Sequence, residues 1–405
     1  MDLPLFHTLL SPNGQAALVA AAALGPTEAG FLACFEKLRK HCPPDLAKVA
    51  IETVLLRERG RVKFSLASRM YFTREVLEQA SGEVVSRHRA GRFRAFARVH
   101  DLCCGAGADS ISLATVGCQV EACDRDPLRL AMASENVAAH GLADRVRFAS
   151  ADVLSSVFPD AEAGFVDPSR RDGDRRFLDP DRYDPPLGRV LDRFPPGFPL
   201  AAKIAPGVAR SDLGRWDAEA EFISVDGELK ECVLWFGPLR TTTRRATVLP
   251  GPHTLADSGS VSDPPPSDIR EFVFDPNSSV IRADLLGLLS AQFCAAQVDH
   301  GVAVLTGPQP ADSPFAACYR VVDTVPFHLG KLRDYLREHR VGRVTVLKRG
   351  VDLDVNAITR SLKLDGPNHQ HLILTRSVGR TVAVVAERVR YGESPGGFPR
   401  AGTLG

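Results

Sequence analysis

Along the chain the spacing of apolar positions changes three times. From residue 1 to about 60 they recur at helical intervals, as in the nine-residue run A-A-L-V-A-A-A-A-L at 16–24 and the stretch 46–56. Ser11-Pro12 and Pro43-Pro44-Asp45 mark helix starts, so residues 1–63 read as an N-terminal helical region. From residue 99 short apolar runs alternate with helical stretches. The pattern predicts strands at 99–102, 118–124, 146–149, 163–166 and 198–205, and helices at 75–79, 109–115 and 127–140, the last closed by Gly141. Four of these strands run into an acid: Asp101, Asp124, Asp152 and Asp167. Alternating strands and helices of this kind predict an α/β, Rossmann-like parallel sheet, with the acids gathered at the carboxyl edge where such sheets bind ligands.

The pattern then loosens. Residues 250–267, with Pro264-Pro265-Pro266, read as an exposed linker, and 268–320 as a connecting unit with one helix over 279–297. From 321 the reading is strand, helix 329–338, strand 343–348, helix 354–362, then strands 371–375 and 381–386, a small C-terminal α+β domain ending near 391. The Gly/Pro-rich stretch 392–405 reads as a disordered tail. The sheet-forming domain spans 64–249.

With 405 residues, 44% of them hydrophobic, the chain can bury more than one core. The run 16–24 is too short for a membrane span and has no basic residue before it, so neither a signal peptide nor a membrane segment is expected. Nine cysteines without a C-x-x-C pair suit a reducing cytoplasm, and no metal-ligand spacing occurs. Net charge is +1, but it is unevenly placed. Residues 57–98 hold eleven Arg or Lys against four Glu, and residues 326–405 hold fourteen against seven acids. Two such blocks would track a phosphate backbone; since 41 of the 50 basic residues are Arg, a solvated compositional bias is the alternative.

The most specific chemistry lies in D-L-C-C-G-A-G (101–107). Gly105 and Gly107 allow positive φ and close backbone approach to a ligand, and Asp124 follows at the distance of a ribose-binding acid. The absence of a third glycine counts against a dinucleotide. Together with V-E-A-C-D (120–124), A-S-A-D-V (149–153) and F-V-D-P-S-R-R (165–171), this stretch resembles the class I S-adenosylmethionine-dependent methyltransferases over roughly residues 64–240. The resemblance implies that Asp101, Cys103, Gly105 and Gly107 meet the methionine part of S-adenosylmethionine, Asp124 the ribose and Asp152 the adenine. It also makes Phe72, Thr73 and Gln79 lid or pocket candidates, with core packing the alternative for Phe72. Base amino-methylating enzymes carry an acid, two prolines and an aromatic after the fourth strand. Here Asp167 and Pro168 are kept, while Ser169 and Arg170 stand in the other two places. Asp167, Pro168 and Arg170 are therefore the catalytic candidates, Arg170 through stacking or a phosphate clamp. Arg171 and Lys203 are expected to touch substrate, with Arg175 and Arg176 extending the basic loop. No cysteine follows the fourth strand to support covalent carbon methylation.

P-F-H (326–328), K-R-G-V-D (348–352) and L-I-L-T-R (372–376) resemble the THUMP-like domain of a bacterial methyltransferase group. THUMP domains bind RNA, so the resemblance implies tRNA or rRNA as partner, with Lys348 and Arg349 as contacts. The expectation is a cytoplasmic methyltransferase acting on a nitrogen of an RNA base. A small-molecule or protein methyltransferase, and a non-catalytic RNA-binding protein on the same fold, are the alternatives.

Overall fold

The computed structural model describes residues 1–156, 161–172, 175–257, 259, 262 and 264–389. The chain forms two units, one of Met1–Ile223 with Glu231–Thr241 and the other of Ser224–Lys230 with the chain from Thr242 onward.

The first unit opens with four helices, α1 (Leu3–Leu10), α2 (Pro12–Ala23), α3 (Phe31–Leu38) and α4 (Pro44–Gly60). Asp2 and Ser11 cap α1 and α2 with side-chain oxygens, and proline occupies the first turn of α1, α2 and α4, where its missing N–H costs nothing. Phe6, Leu9, Leu18, Ala50 and Ile51 form a shared core with Tyr71 and Met132. Two short helices, α5 (Arg74–Gln79) and α6 (Glu83–Ala90), lead to the sheet.

The sheet begins with β1 (Arg98–Leu102), α7 (Ala108–Thr115), β2 (Gln119–Asp124), α8 (Pro127–Ala139), β3 (Val146–Ser150) and β4 (Ala163–Val166). A two-strand ribbon, β5 (Arg171–Asp172) and β6 (Arg175–Arg176), and the helix α9 (Leu187–Leu191) follow. The unit closes with β7 (Leu200–Ile204), α10 (Arg210–Leu213), β8 (Glu219–Val225) and β9 (Glu228–Trp235). The strand order is β8-β9-β7-β4-β1-β2-β3. Strands β1, β2, β3, β4 and β7 pair in parallel, and β9 runs antiparallel to β7. The chain grows outward from β1 to β3 and then returns to place β4 on the other side of β1. That reversal opens a crevice at the carboxyl ends of β1 and β4, which is where the acids were expected to gather.

The second unit departs from the sequence reading twice. Within the expected linker, β11 (His253–Asp257) pairs antiparallel with β10 (Arg244–Leu249), and Arg244 closes the hairpin on Asp257 at 3.2 Å. The single helix expected over 279–297 is two, α11 (Ser278–Arg282) and α12 (Leu286–Phe293), because Asp284 takes a left-handed φ of 61° that no helix can continue through. The remaining elements are β12 (Phe272–Pro276), β13 (Ala296–Gln297), β14 (Leu305–Gly307), β15 (Ala316–Pro326), α13 (Leu329–Glu338), β16 (Val341–Lys348), α14 (Val355–Leu362), β17 (Asn368–Ser377) and β18 (Arg380–Arg388). Their sheet runs β13-β14-β12-β15-β18-β17-β16. Leu332, Leu336, Ile358 and Leu362 of α13 and α14 bury one of its faces against Leu372, Leu374, Ala383 and Val385. The expected tail lies outside the described residues. No helix among the described residues is long and apolar enough to cross a membrane.

Leu372 is fully buried between α13, α14 and the sheet. Leu372→Ala is expected to lower stability by about 2–5 kcal/mol through the cavity it leaves, read as an earlier transition in urea unfolding followed by hydrogen exchange of the β17 amides.

Candidate active site

The crevice at the ends of β1 and β4 is a cleft lined by residues 103–106, 108–109, 124–125, 151–154, 167–170 and 203, with Val76, Gln79 and Ser81 among those closing it from the side. Each wall has a local cause. After β1 the chain turns through Cys103, Gly105 and Gly107, all at positive φ, and Gly107 starts α7. A Cβ on Gly105 would meet nothing within 4 Å, so this glycine faces open space, whereas one on Gly107 would press on Ala133 at 3.1 Å. Gly107 thus serves the approach of α7 to α8, and Gly105 the cleft.

Asp124 ends β2 with its carboxylate already oriented. Its Oδ2 accepts the Gly105 N–H at 3.0 Å and its Oδ1 accepts the Asp126 N–H at 2.9 Å. This fixes the glycine turn and the acid relative to each other, and leaves lone pairs for two vicinal hydroxyls. Asp152 also lines the cleft, exposed, with Oδ1 accepting the Leu154 N–H.

On the opposite side, Asp167 and Lys203 stand at the ends of adjacent strands. Lys203, only 4% exposed, donates from Nζ to Asp167 Oδ2 at 2.7 Å and to the Gln79 carbonyl at 3.4 Å. Ser169 and Asp184 exchange two backbone hydrogen bonds of 2.9 Å, which pins the loop carrying Pro168 and Arg170. Asp184 in turn pairs with Arg125. Arg170 lines the cleft with Nη1 buried and no hydrogen-bond partner for it among the described residues. None of the described residues lining the cleft is aromatic.

Asp101 and Thr73 are placed differently from the sequence expectation. Asp101 is 1% exposed beneath the cleft, accepting from Ser110 Oγ, and does not line it. Burial, with Asp109 and Asp167 nearby, pushes its pKa up to about 8. Thr73 caps α5 through the Val76 N–H. Phe72 is a core residue, stacked on Phe64 at 5.4 Å. Arg171 pairs through its backbone with Arg176 in the β5–β6 ribbon, and its side chain lies outside the described residues. Lys348 is exposed in the second unit, while Arg349 is held there by Asp275 in two hydrogen bonds of 2.8 and 3.0 Å.

The sequence reading did not find Asp109, Arg89 or Glu231. Asp109 lines the cleft and is bound by Arg89, whose guanidinium also pairs with Glu231 and lies over Phe165 at 4.9 Å. Burial raises the Asp109 pKa against the pull of Arg89, and Asp167 adds to the rise. The signal was an acid set inside an apolar strand, E-C-V-L-W at 231–235, which needs a buried cation.

The first basic block is largely spent inside the unit. Arg59 and Arg74 bind Glu28, Arg61 binds Glu58, Arg87 binds Glu83, Arg92 binds Glu219 and Glu221, and Lys63 donates to three carbonyls. Net charge along the chain therefore overstated the phosphate-binding surface of residues 57–98.

A relative from Mycobacterium tuberculosis, described as an uncharacterized S-adenosylmethionine-dependent methyltransferase, is 34% identical over 346 residues, covering 82% of this chain and 93% of that one. The chain belongs to the S-adenosylmethionine-dependent methyltransferases. Its cofactor is S-adenosylmethionine, and the oriented Asp124 carboxylate and the open backbone at Gly105 fit such a group. Within this methyltransferase, residues 96–172 match the family model of RNA cap guanine-N2 methyltransferases, residues 316–388 that of THUMP-like domains, and residues 2–60 a domain of unknown function. A 23S rRNA (uracil(1939)-C(5))-methyltransferase from Acidithiobacillus ferrooxidans is 34% identical over 109 residues, 26% of this chain and 23% of its own. A crystal structure of a proposed methyltransferase from Porphyromonas gingivalis W83 shares the fold at a TM-score of 0.71 and 18% identity, over 90% of this chain and 100% of that one.

Because the Asp101 pKa is raised by burial, the folded state holds a proton there that the unfolded chain releases near pH 4. Its contribution to stability is complete below pH 4 and is lost as pH rises toward 8. Asp101→Asn removes this dependence, so its melting temperature is expected to gain on the wild type steadily between pH 5 and 8.5. A constant difference across that range would contradict the assignment.

Proposed function

We propose that this methyltransferase methylates a nitrogen of an RNA base, and that Asp167 receives the proton the nitrogen loses. The observation that carries the reading is the placement of Asp167 and Pro168 in one cleft with Asp124, with Lys203 Nζ fixing one Asp167 oxygen at 2.7 Å. The bound cofactor supplies a methyl group on a sulfonium, an electrophile that needs no further activation. What remains for the protein is to align the nucleophile and take its proton. Asp167 can accept an amine N–H on the oxygen that Lys203 does not hold, while the Pro168 ring and the planar Arg170 guanidinium line the same cleft and can pack against a base. Base recognition would then rest on proline and guanidinium faces instead of an aromatic ring.

Carbon methylation of uracil through a covalent adduct requires a thiolate. The thiols on this cleft are Cys103 and Cys104, and burial, reinforced by the Asp124 carboxylate, pushes both well above the usual range. That favours nitrogen as the target. The guanine-N2 family model on 96–172 and the rRNA methyltransferase likeness support RNA as the substrate.

The test uses RNA from a strain lacking the gene, purified protein and methyl-labelled cofactor. Nuclease-sensitive label in tRNA or rRNA is the expected outcome, and protease-sensitive label would overturn the reading. Asp167→Ala is expected to slow transfer by roughly 10²–10⁴-fold while calorimetric cofactor affinity stays within about threefold. Asp124→Ala should instead weaken cofactor binding by at least about tenfold, the loss of a charge-assisted hydrogen-bond acceptor.

A further inference from the structure

We infer that Arg175 and Arg182, both laid over the ring of Phe177 beside the cleft, clamp the phosphate backbone of the RNA next to the nucleotide being methylated. The inference rests on the RNA reading above and adds which side chains of the first unit hold the strand.

Backbone bonds put these three residues at the rim of the cleft. In the β5–β6 ribbon Arg171 pairs with Arg176 and Asp172 with Arg175, and the register continues to Arg170 and Phe177, where the Phe177 N–H donates to the Arg170 carbonyl at 2.9 Å. Arg170 lines the cleft together with Asp167. The return of the loop is tied as well. The Tyr183 hydroxyl donates to the Leu178 carbonyl at 3.3 Å and accepts the Ala205 N–H at 3.0 Å, and Asp184 exchanges its two backbone bonds with Ser169. Phe177 and Arg182 therefore belong to a pinned loop whose attachment points, Arg170 and Asp184, wall the cleft.

Among the described residues seven arginines lie over aromatic rings, and what else each of them binds separates two from the rest. Arg39, Arg89, Arg92 and Arg215 are bound by carboxylates, and Arg57 donates to the Met70 carbonyl at 2.9 Å. Arg175 and Arg182 share Phe177, at 5.7 and 4.0 Å from its centre, and both are exposed with no carboxylate partner among the described residues. The nearby acids of the loop are taken, Asp179 and Asp181 by Arg215 at 3.3 and 2.8 Å and Asp184 by Arg125. Two like charges drawn over one ring repel each other, and an anion bridging them relieves the repulsion. A guanidinium lying on a ring keeps its in-plane N–H groups pointing outward, the fork that takes two oxygens of one phosphate, and the ring holds a long side chain still before the ligand arrives. An acidic peptide would answer the same two charges. The clamp, however, adjoins the carboxylate proposed to take a proton from a base nitrogen, so a phosphodiester is the anion brought to it. Such a contact sets the position of the strand without reading its sequence.

The experiment measures methyl transfer to RNA from the deletion strain, and binding of a fluorescein-labelled twelve-nucleotide oligouridine, by the full chain at several salt concentrations. S-adenosylhomocysteine affinity and melting temperature are the fold controls. Arg175→Ala with Arg182→Ala is expected to weaken oligomer binding and lower kcat/KM, mostly through KM, by at least about tenfold, the loss of charge-assisted hydrogen bonds. The slope of log K against log salt should fall by about 1.4, two phosphate contacts on a single strand. Arg175→Lys with Arg182→Lys should restore the slope and only part of the affinity, since an ammonium lacks the planar fork. Phe177→Leu removes the brace and keeps the charges, so binding should weaken by about 2- to 5-fold with the slope unchanged. Arg39→Ala, a ring-braced arginine already bound by Glu36 at 3.0 Å, should behave as the wild type does. Methylation of RNA by the wild type, with wild-type affinity, KM and salt slope in the double alanine variant, would overturn the clamp and leave the RNA substrate standing. A wild type that neither binds the oligomer nor methylates RNA would overturn both.

Discussion

Arg89 is the charge around which the cleft is assembled. Its side chain is fully enclosed, and burial alone would lower its pKa, but the carboxylates of Asp109 and Glu231 outweigh that and raise it. Those two acids come from α7 and β9, 20 and 142 residues away in sequence, and Phe165 of β4 covers the guanidinium. Glu231 also accepts from Ser81 in the wall of the cleft at 3.2 Å. One buried cation thus sets where α6, α7 and β9 can lie, and removing one partner of such a group costs about 3–5 kcal/mol because the other charge stays buried.

The same network explains how charge is distributed around the reaction site. Asp167 lies close enough to raise the proton affinity of both Asp101 and Asp109, against the pull of Arg89 on both and of Lys203 on Asp109. Asp101, the member with no cation bonded to it, takes up the imbalance as a retained proton. The acid that the resemblance nominated for the cofactor therefore supports the floor, while Asp109, in the first turn of α7, lines the cleft.

Most of the fold was legible because it rests on local rules. Alternating strand and helix runs, Gly141 after α8 and Asp354 before α14 are short-range signals, and the elements lie within a few residues of where the pattern put them. Asp124, Asp167 and Asp152 reach one cleft for the same reason: each follows a parallel strand. What could not be read depends on distant partners or on backbone choices that many residues tolerate. Asp284 breaks a helix by a left-handed turn that its sequence permits without requiring. The pairing of 253–257 with 244–249 hides behind prolines. Charge counting misled most, since it sums residues without asking which of them face each other; the arginines of 57–98 answer acids at 28, 219, 221 and 231, whereas Arg343 and Arg388 are exposed.

The way the chain is shared between the two units has a consequence for how they can be dissected. Residues 224–230, the tip joining β8 to β9, belong to the second unit, while the strand ends on either side belong to the first. The polypeptide therefore crosses the boundary three times, after Ile223, Lys230 and Thr241. No single cut yields either unit intact. A fragment ending before the tip loses β9 and with it Glu231, and a fragment beginning after β9 lacks part of the second unit. Moving the THUMP-like segment 316–388 alone would leave residues 224–230 of its unit behind.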